Sequence, residues 1–365
     1  MRREHLPLMV LAGLTLLAGL WAGLNRLGWG LPPLRPTAHG PLMISGFLGA
    51  LISLERAAAF GRRWPYAAPA LALAGVVLLL AGAPAPVYQS LILLGSLFLL
   101  TAFLVTYHRH YGFKLEWAAA TMSLGALCWV AGNLAWLVGR PLFQVSPWWI
   151  GFLMLTIAGE RLELARVLLL RRASLIMFAL SVAVFFGGLL VSLSFFARGL
   201  QLSGFGLVML GLWLLRFDVA QKTVRQSGLT RFIAACLLPG YAWLVAAGAL
   251  WVAWPAYFVA GSAYDAMLHM ILVGFVFSMI FGHAPIIVPA ILNLPITYRP
   301  AFYLHLILLH ASLVLRVSGD IAALPALRLW GGLLNVTAIL LFIGNTILAT
   351  RKQTSGARSA KTSEV

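Results

Sequence analysis

The sequence predicts an all-α polytopic membrane protein of about twelve transmembrane helices, with its N- and C-termini cytoplasmic. Three observations predict it. Of the 365 residues, 62% are hydrophobic and 10% charged, whereas a soluble domain has roughly 25% charged residues. Apolar runs of about 20 residues, enough to cross a bilayer core, recur along the whole chain with Gly, Pro and charge between them. Lys and Arg are also distributed unevenly: with the N-terminus inside, twenty of the 26 fall on the cytoplasmic side, as the positive-inside rule requires.

The expected helices are 6–24, 39–58, 67–83, 87–107, 116–138, 147–170, 174–196, 199–217, 232–252, 257–282, 301–318 and 327–349. The first is longer than a signal-peptide core and has no small-x-small cleavage site, so it reads as a retained span. The second opens at His39 and closes at Glu55-Arg56. Trp64, Tyr66 and Trp117 anchor inner ends of the next spans, and Trp29, Trp148, Trp149, Trp254 and Tyr257 fall at outer ends. Arg216 to Arg231 is the longest polar interval. Residues 1–350 thus form one transmembrane domain, and the Ser/Thr/Lys-rich stretch 351–365 is expected to be a disordered cytoplasmic tail.

The formal charge of +17 follows from topology and from attraction to anionic lipid. No basic patch is interleaved with aromatics, so no nucleic-acid partner is expected. Cys128 and Cys236 lie far apart in apolar segments and read as free thiols. P-loop, dinucleotide-binding, paired-Cys zinc and HExxH patterns are all missing, and no repeat relates the two halves.

Ionisable side chains within lipid are costly, and those that persist are functional candidates. Four of the eight histidines, His269, His283, His305 and His310, lie in the tenth and eleventh spans, with Asp265 one turn before His269. His39 starts the second span at its outer end. His269 and His283 are about 21 Å apart along one helix and cannot share a metal. His305 and His310 point away from one another. The groupings left are His39, His269 and His310 for an outer or central site, and His283 with His305 for an inner one. His5, His108 and His110 read as interfacial loop residues. A histidine pair from facing helices can hold haem iron, and Arg35 and Arg316, at the outer face, are placed to meet haem propionates. Asp265 is expected to orient the His269 imidazole as a carboxylate acceptor. Glu160 is a proton-transfer candidate that could equally be an ion-pair partner of Arg161 or Arg56, and Glu163 is expected to pair with Arg166.

The runs HGPLMISGFLGALISLER and HMILVGFVFSMIFGH, with RPAFYLHLILLHASLVLRVSGD after them, resemble the corresponding stretches of the NnrS family. The resemblance implies a twelve-helix bacterial inner-membrane protein associated with haem and copper and with defence against nitric oxide. His39 falls where that family has its second-helix histidine, and His269 where it has one ahead of a Val-Gly step. Thr37-Ala-His39 supplies one histidine where the family tends to show two, and the stretch Pro285 to Pro295 replaces a His-Thr-Gly-Arg run. Haem is therefore expected more than copper. The Thr-Ala-His-Gly entry is also similar to the low-spin haem helix of haem–copper oxidase catalytic subunits.

The expectation is a haem protein using His39 with His269 or His310, handling nitric oxide or a related diatomic and served by an electron-donor protein. Two other classes compete with it. One is a proton-coupled secondary transporter using Glu160, Asp265 and His269. The other is a haem–copper-like reductase of NO or O2.

Overall fold

The computed structural model describes residues 5–35, 37–112, 114–292 and 295–362, of which 290–292 and 351–362 by backbone alone. Among the described residues there are helices and turns and no strand. Twelve helices are long and apolar enough to cross a membrane. They are α1 (Leu6–Leu27), α2 (His39–Phe60), α3 (Trp64–Ala81), α4 (Ala85–Tyr111), α5 (Trp117–Leu137) and α6 (Leu142–Leu168). The second six are α7 (Arg172–Ser192), α8 (Phe196–Phe217), α9 (Gly228–Ala253), α10 (Gly261–Pro289), α11 (Phe302–Ile321) and α12 (Pro325–Thr350). Each matches one expected span.

Helix ends follow backbone chemistry. Gly28, Gly61 and Gly82 close α1, α2 and α3 in the left-handed region, which costs a residue without Cβ nothing. The backbone of the last helix continues to Thr362. The stretch expected as a disordered tail therefore falls on residues described by backbone alone, with 363–365 outside the described residues.

Two proline positions differ from expectation. The sixth helix begins at Leu142 rather than 147, with Pro147 inside it. Proline leaves the carbonyl four residues back without its donor, and the Ser146 hydroxyl donates to that Phe143 carbonyl at 3.3 Å. The tenth span likewise runs on through Pro285 instead of ending at 282. Membrane helices tolerate such interruptions where neighbours re-satisfy the backbone.

Consecutive helices pack as antiparallel neighbours, most extensively α5 with α6, α7 with α8 and α11 with α12. Glycines permit the close approaches. A Cβ on Gly206 of α8 would stand 2.4 Å from the Phe185 backbone nitrogen of α7, the small-residue packing that membrane helices use. The most buried helices are α6, α10 and α2. These carry Glu160, His269 and His39, so the chemistry-bearing spans form the centre of the bundle and the rest shield them from lipid.

Candidate haem-size cavity and its two histidines

The Nδ1–H of His39 donates to the Gly19 carbonyl of α1 at 2.8 Å. One turn on, a Cβ at Gly23 would stand 3.0 Å from His39 Cε1, so the glycine there gives α1 a surface on which the imidazole can lie. In α10 the Nδ1–H of His269 donates to the Asp265 carbonyl, also at 2.8 Å. Each bond fixes its ring and its tautomer and leaves Nε2 with a free lone pair, the arrangement that metal-ligating histidines show.

The two rings lie with centroids 6.2 Å apart and 21° between planes. That gap is too wide for direct stacking. It is close to the span of two imidazoles on one metal: two metal–nitrogen bonds of about 2 Å, plus about 1.1 Å from each nitrogen to its ring centre, give about 6 Å.

The backbone beyond each histidine takes the same form. A π-helix runs over Leu42–Gly49 after His39 and over Met270–Phe277 after His269, eight residues each. Phe47 and Phe277, each eight residues beyond its histidine, stack at 6.0 Å and 19°. Thus α2 and α10 run in matched register from the histidine pair to the phenylalanine pair. Segments of π-helix are rare and frequent at functional sites.

A cavity of about 410 Å³ lies between α1, α2, α6, α10, α11 and α12, lined by His39, His269, Met43, Trp149, Phe277 and Val336 among others. It is within the size range of cofactor sites. Its lining is largely apolar but includes Ser146 and Tyr264 as well as the charged Arg26, Asp265, Arg316 and Arg328. Asp265 receives Arg316 at 2.7 Å and has Arg328 at 3.9 Å, and Arg328 reaches Asp320 at 2.8 Å. Asn335 also lines the cavity. It donates to Ser312 at 2.7 Å, and its Oδ1 is buried without a partner among the described residues.

Several expected site residues lie elsewhere. His310 receives Trp243 Nε1–H at Nδ1, 3.1 Å, and meets the Ser278 hydroxyl at Nε2, 3.2 Å. Both nitrogens are used, and it ties α11 to α9 and α10. His283 and His305 do not meet. His283 donates to the Met279 carbonyl and receives Arg161 at 3.2 Å. His305 receives Asn345 at 3.1 Å and sits among Phe281, Phe302 and Phe342. Arg35 rests against Gly82 at the end of α3, and Arg26 and Arg328 take the place expected for it.

The carboxylates and the remaining histidines have distinct partners. Asp265 meets His269 Nδ1 through its backbone carbonyl at 2.8 Å and through carboxylate Oδ1 at 3.4 Å, while Oδ2 receives Arg316 at 2.7 Å. Glu160 is ion-paired with Arg56, and Arg161 forms a two-pronged pair with Asp218 at 2.8 Å for each contact. Arg166 pairs with Glu116 rather than with Glu163. His5, expected in an interfacial loop, is buried and stacked on Tyr66.

Both histidines and all twelve helices lie within the stretch that one family's model matches. The chain belongs to the family described as Domain of unknown function (DUF8744). That family's model matches residues 5–351. No curated protein and no solved structure matches this DUF8744 member. Among the described residues no group of three or more His, Cys, Asp or Glu is placed to hold a metal ion. The cavity brings together one pair of imidazoles, His39 and His269. Two donors leave an isolated ion under-coordinated, whereas haem brings four nitrogens of its own.

Proposed function

We propose that this DUF8744 member is a haem-binding integral membrane protein of the bacterial inner membrane. His39 and His269 would hold the iron, and the protein would handle nitric oxide or a related small redox species, as the NnrS resemblance implies. The observation that carries the haem reading is the pair of imidazoles 6.2 Å apart in one cavity, each with Nδ1 bound to a backbone carbonyl and Nε2 free. The donor chemistry fits, and so does the cradle: Gly23 makes room beside His39, and the cavity has a largely apolar lining on which Arg26, Arg316 and Arg328 also lie. Bound haem would supply one-electron chemistry at its iron, with a potential set by its two ligands and its surroundings. The protein's own part is to fix both imidazoles, exclude water along the apolar wall, and present Arg26, Arg316 and Arg328 to the anionic edge of the ring.

Two imidazoles holding the group would suit it to one-electron transfer, and the chain's own contribution would be to keep both rings in place. An electron-donor protein is the partner this implies. Copper would need ligands beyond the two histidines, and that weighs against a haem–copper reductase. Direct proton transfer among Glu160, Asp265 and His269, with no carriers between them, is also disfavoured. Glu160 sits on Arg56, seventeen residues along α2 from His39, about 25 Å away at 1.5 Å per residue.

The test is an optical spectrum of detergent-purified protein from haem-replete cells, oxidised and dithionite-reduced, beside His39→Ala and His269→Ala. The expected result is a Soret band with sharp reduced bands, lost in both variants. A wild-type spectrum without a Soret band overturns the reading.

A further inference from the structure

A second polar feature runs between α2, α5 and α6, outside the cavity. Five side chains there, Ser45, Ser53, Trp129, Asn133 and Thr156, are each at most 1% exposed. The Ser45, Ser53 and Thr156 hydroxyls, Trp129 Nε1 and Asn133 Nδ2 have no hydrogen-bond partner among the described residues, and neither does Arg56 Nε at the end of the row. A polar group buried without a partner costs on the order of 1–3 kcal/mol, so six together need an explanation.

The three hydroxyls break the habit of this protein. Helical hydroxyls elsewhere find partners, on a carbonyl one turn back as Ser96, Thr121, Ser123 and Ser181 do or on a neighbouring helix as Ser203 does. The orphaned atoms are also contiguous. Ser45 and Ser53 are about one π-turn plus one α-turn apart and share a face of α2. Between them Gly49 lies against the Trp129 ring, where a Cβ would meet Cζ2 at 2.5 Å. Trp129 and Asn133 are one turn apart on α5. Thr156 lies one turn before Glu160 on α6, and its hydroxyl is 2.8 Å from a Cβ built on Gly125.

Both ends are defined. At one, Arg56 pairs with Glu160, both about 30% exposed, and touches Met122 Sδ at 3.5 Å. At the other, Asn133 Oδ1 receives Trp149 Nε1–H at 2.9 Å, and Trp149 lines the cavity.

We propose that α2, α5 and α6 enclose a proton route from the Arg56–Glu160 pair to the histidine cavity, carried by internal water held on these six groups. Arg56 Nε, Trp129 Nε1 and Asn133 Nδ2 are donors that anchor water oxygens, and the three hydroxyls both donate and accept, so they pass protons on. At each step a water or hydroxyl gains a proton on one side and releases one on the other. Only O–H bonds change, and no redox partner is required. Glu160, with Glu55 nearby on α2, offers the carboxylates at which a proton enters. This inference stands apart from the haem reading, because it concerns what reaches the cavity and not what occupies it.

The experiment uses the full chain in liposomes with trapped pyranine under a potassium diffusion potential, comparing wild type with Ser45→Ala/Ser53→Ala/Thr156→Val. Wild-type proton flux is expected to be several-fold above both the triple variant and protein-free liposomes. Thr156→Val alone is the comparison if the triple variant does not fold. In parallel, X-ray radiolytic footprinting of wild type reports internal water. Trp129 and Met122 are expected to oxidise several-fold faster than Trp213, which is equally buried but donates to Ser174. Equal flux in wild type and variant, or Trp129 labelling no faster than Trp213, overturns the proposal. Soret absorbance read on the same samples separates the two ideas, since missing haem leaves the flux comparison intact.

Discussion

Gly23 shows how a single hydrogen atom in place of a side chain sets the position of an imidazole. Its missing Cβ would stand 3.0 Å from the His39 ring, and that ring is also held by the Gly19 carbonyl and cannot retreat freely. Gly23→Val should therefore displace His39 while α1 stays helical, and haem per mole of protein should fall several-fold as read by Soret absorbance. Unchanged haem content would show that the ring has room to move. His269 gives the complementary test. If both axial positions are filled, carbon monoxide should bind the reduced wild-type protein weakly, and addition of imidazole to His269→Gly should restore a six-coordinate spectrum. Rapid stoichiometric carbon monoxide binding by wild type would mean that one histidine is not a ligand. At this scale the cost of an imidazole in lipid singled out His39, His269 and His310 together, and the structure brings the first two to one cavity. It places His310 between Trp243 and Ser278 instead, because a ligand and an interhelical hydrogen-bonder pay the same cost in lipid and differ only in partners.

Among elements, the twelve apolar runs were legible because the bilayer imposes one length on all of them. Helix ends at proline were not. Pro147 looks like a boundary in sequence, and only the Ser146 hydroxyl on the Phe143 carbonyl shows why the helix passes through it. The two π-helices were also invisible, since hydropathy reports which residues face lipid and says nothing of whether a backbone N–H reaches back four residues or five. The pairings between elements were half legible. Glu160 with Arg56 was among the expected alternatives, but Arg161 with Asp218 joins α6 to the residue just past α8, and nothing local in the sequence signals it. That pair is almost wholly buried on both sides, at 3% and 0% exposure. Removing one partner strands a charge, which typically costs about 3–5 kcal/mol. Asp218→Ala should thus lower the thermal midpoint of the detergent-solubilised protein strongly, while Arg161→Met/Asp218→Leu should recover most of the loss. A double variant as unstable as the single one would mean that the ions matter for His283 and the Ala220 backbone N–H that Asp218 caps rather than for each other.

The whole molecule is a two-ended object. One end of the central helices carries the histidine cavity with Arg26, Arg316 and Arg328, and the other carries the Arg56–Glu160 and Arg161–Asp218 pairs. Which end faces the cytoplasm decides what the arginine-lined mouth meets, and the charge asymmetry makes a definite prediction. Among the described side chains, fourteen Lys and Arg lie on the side of the Arg56 end and six on the other, so that end should be cytoplasmic and the cavity should open outward. The native cysteines suit a direct test, because Cys128 and Cys236 are both buried and give little background to an impermeant maleimide. Ser227, in the polar interval before α9, and Ala256, between α9 and α10, are both exposed. Ser227→Cys should label in inverted membrane vesicles and not in spheroplasts, and Ala256→Cys should do the opposite. The reverse pattern would put the arginine-rich loops outside, turn the cavity mouth toward the cytoplasm, and reverse the direction in which protons would enter at Glu160. The electron donor would then have to approach from the cytoplasm, so this labelling decides on which side of the membrane a partner should be sought.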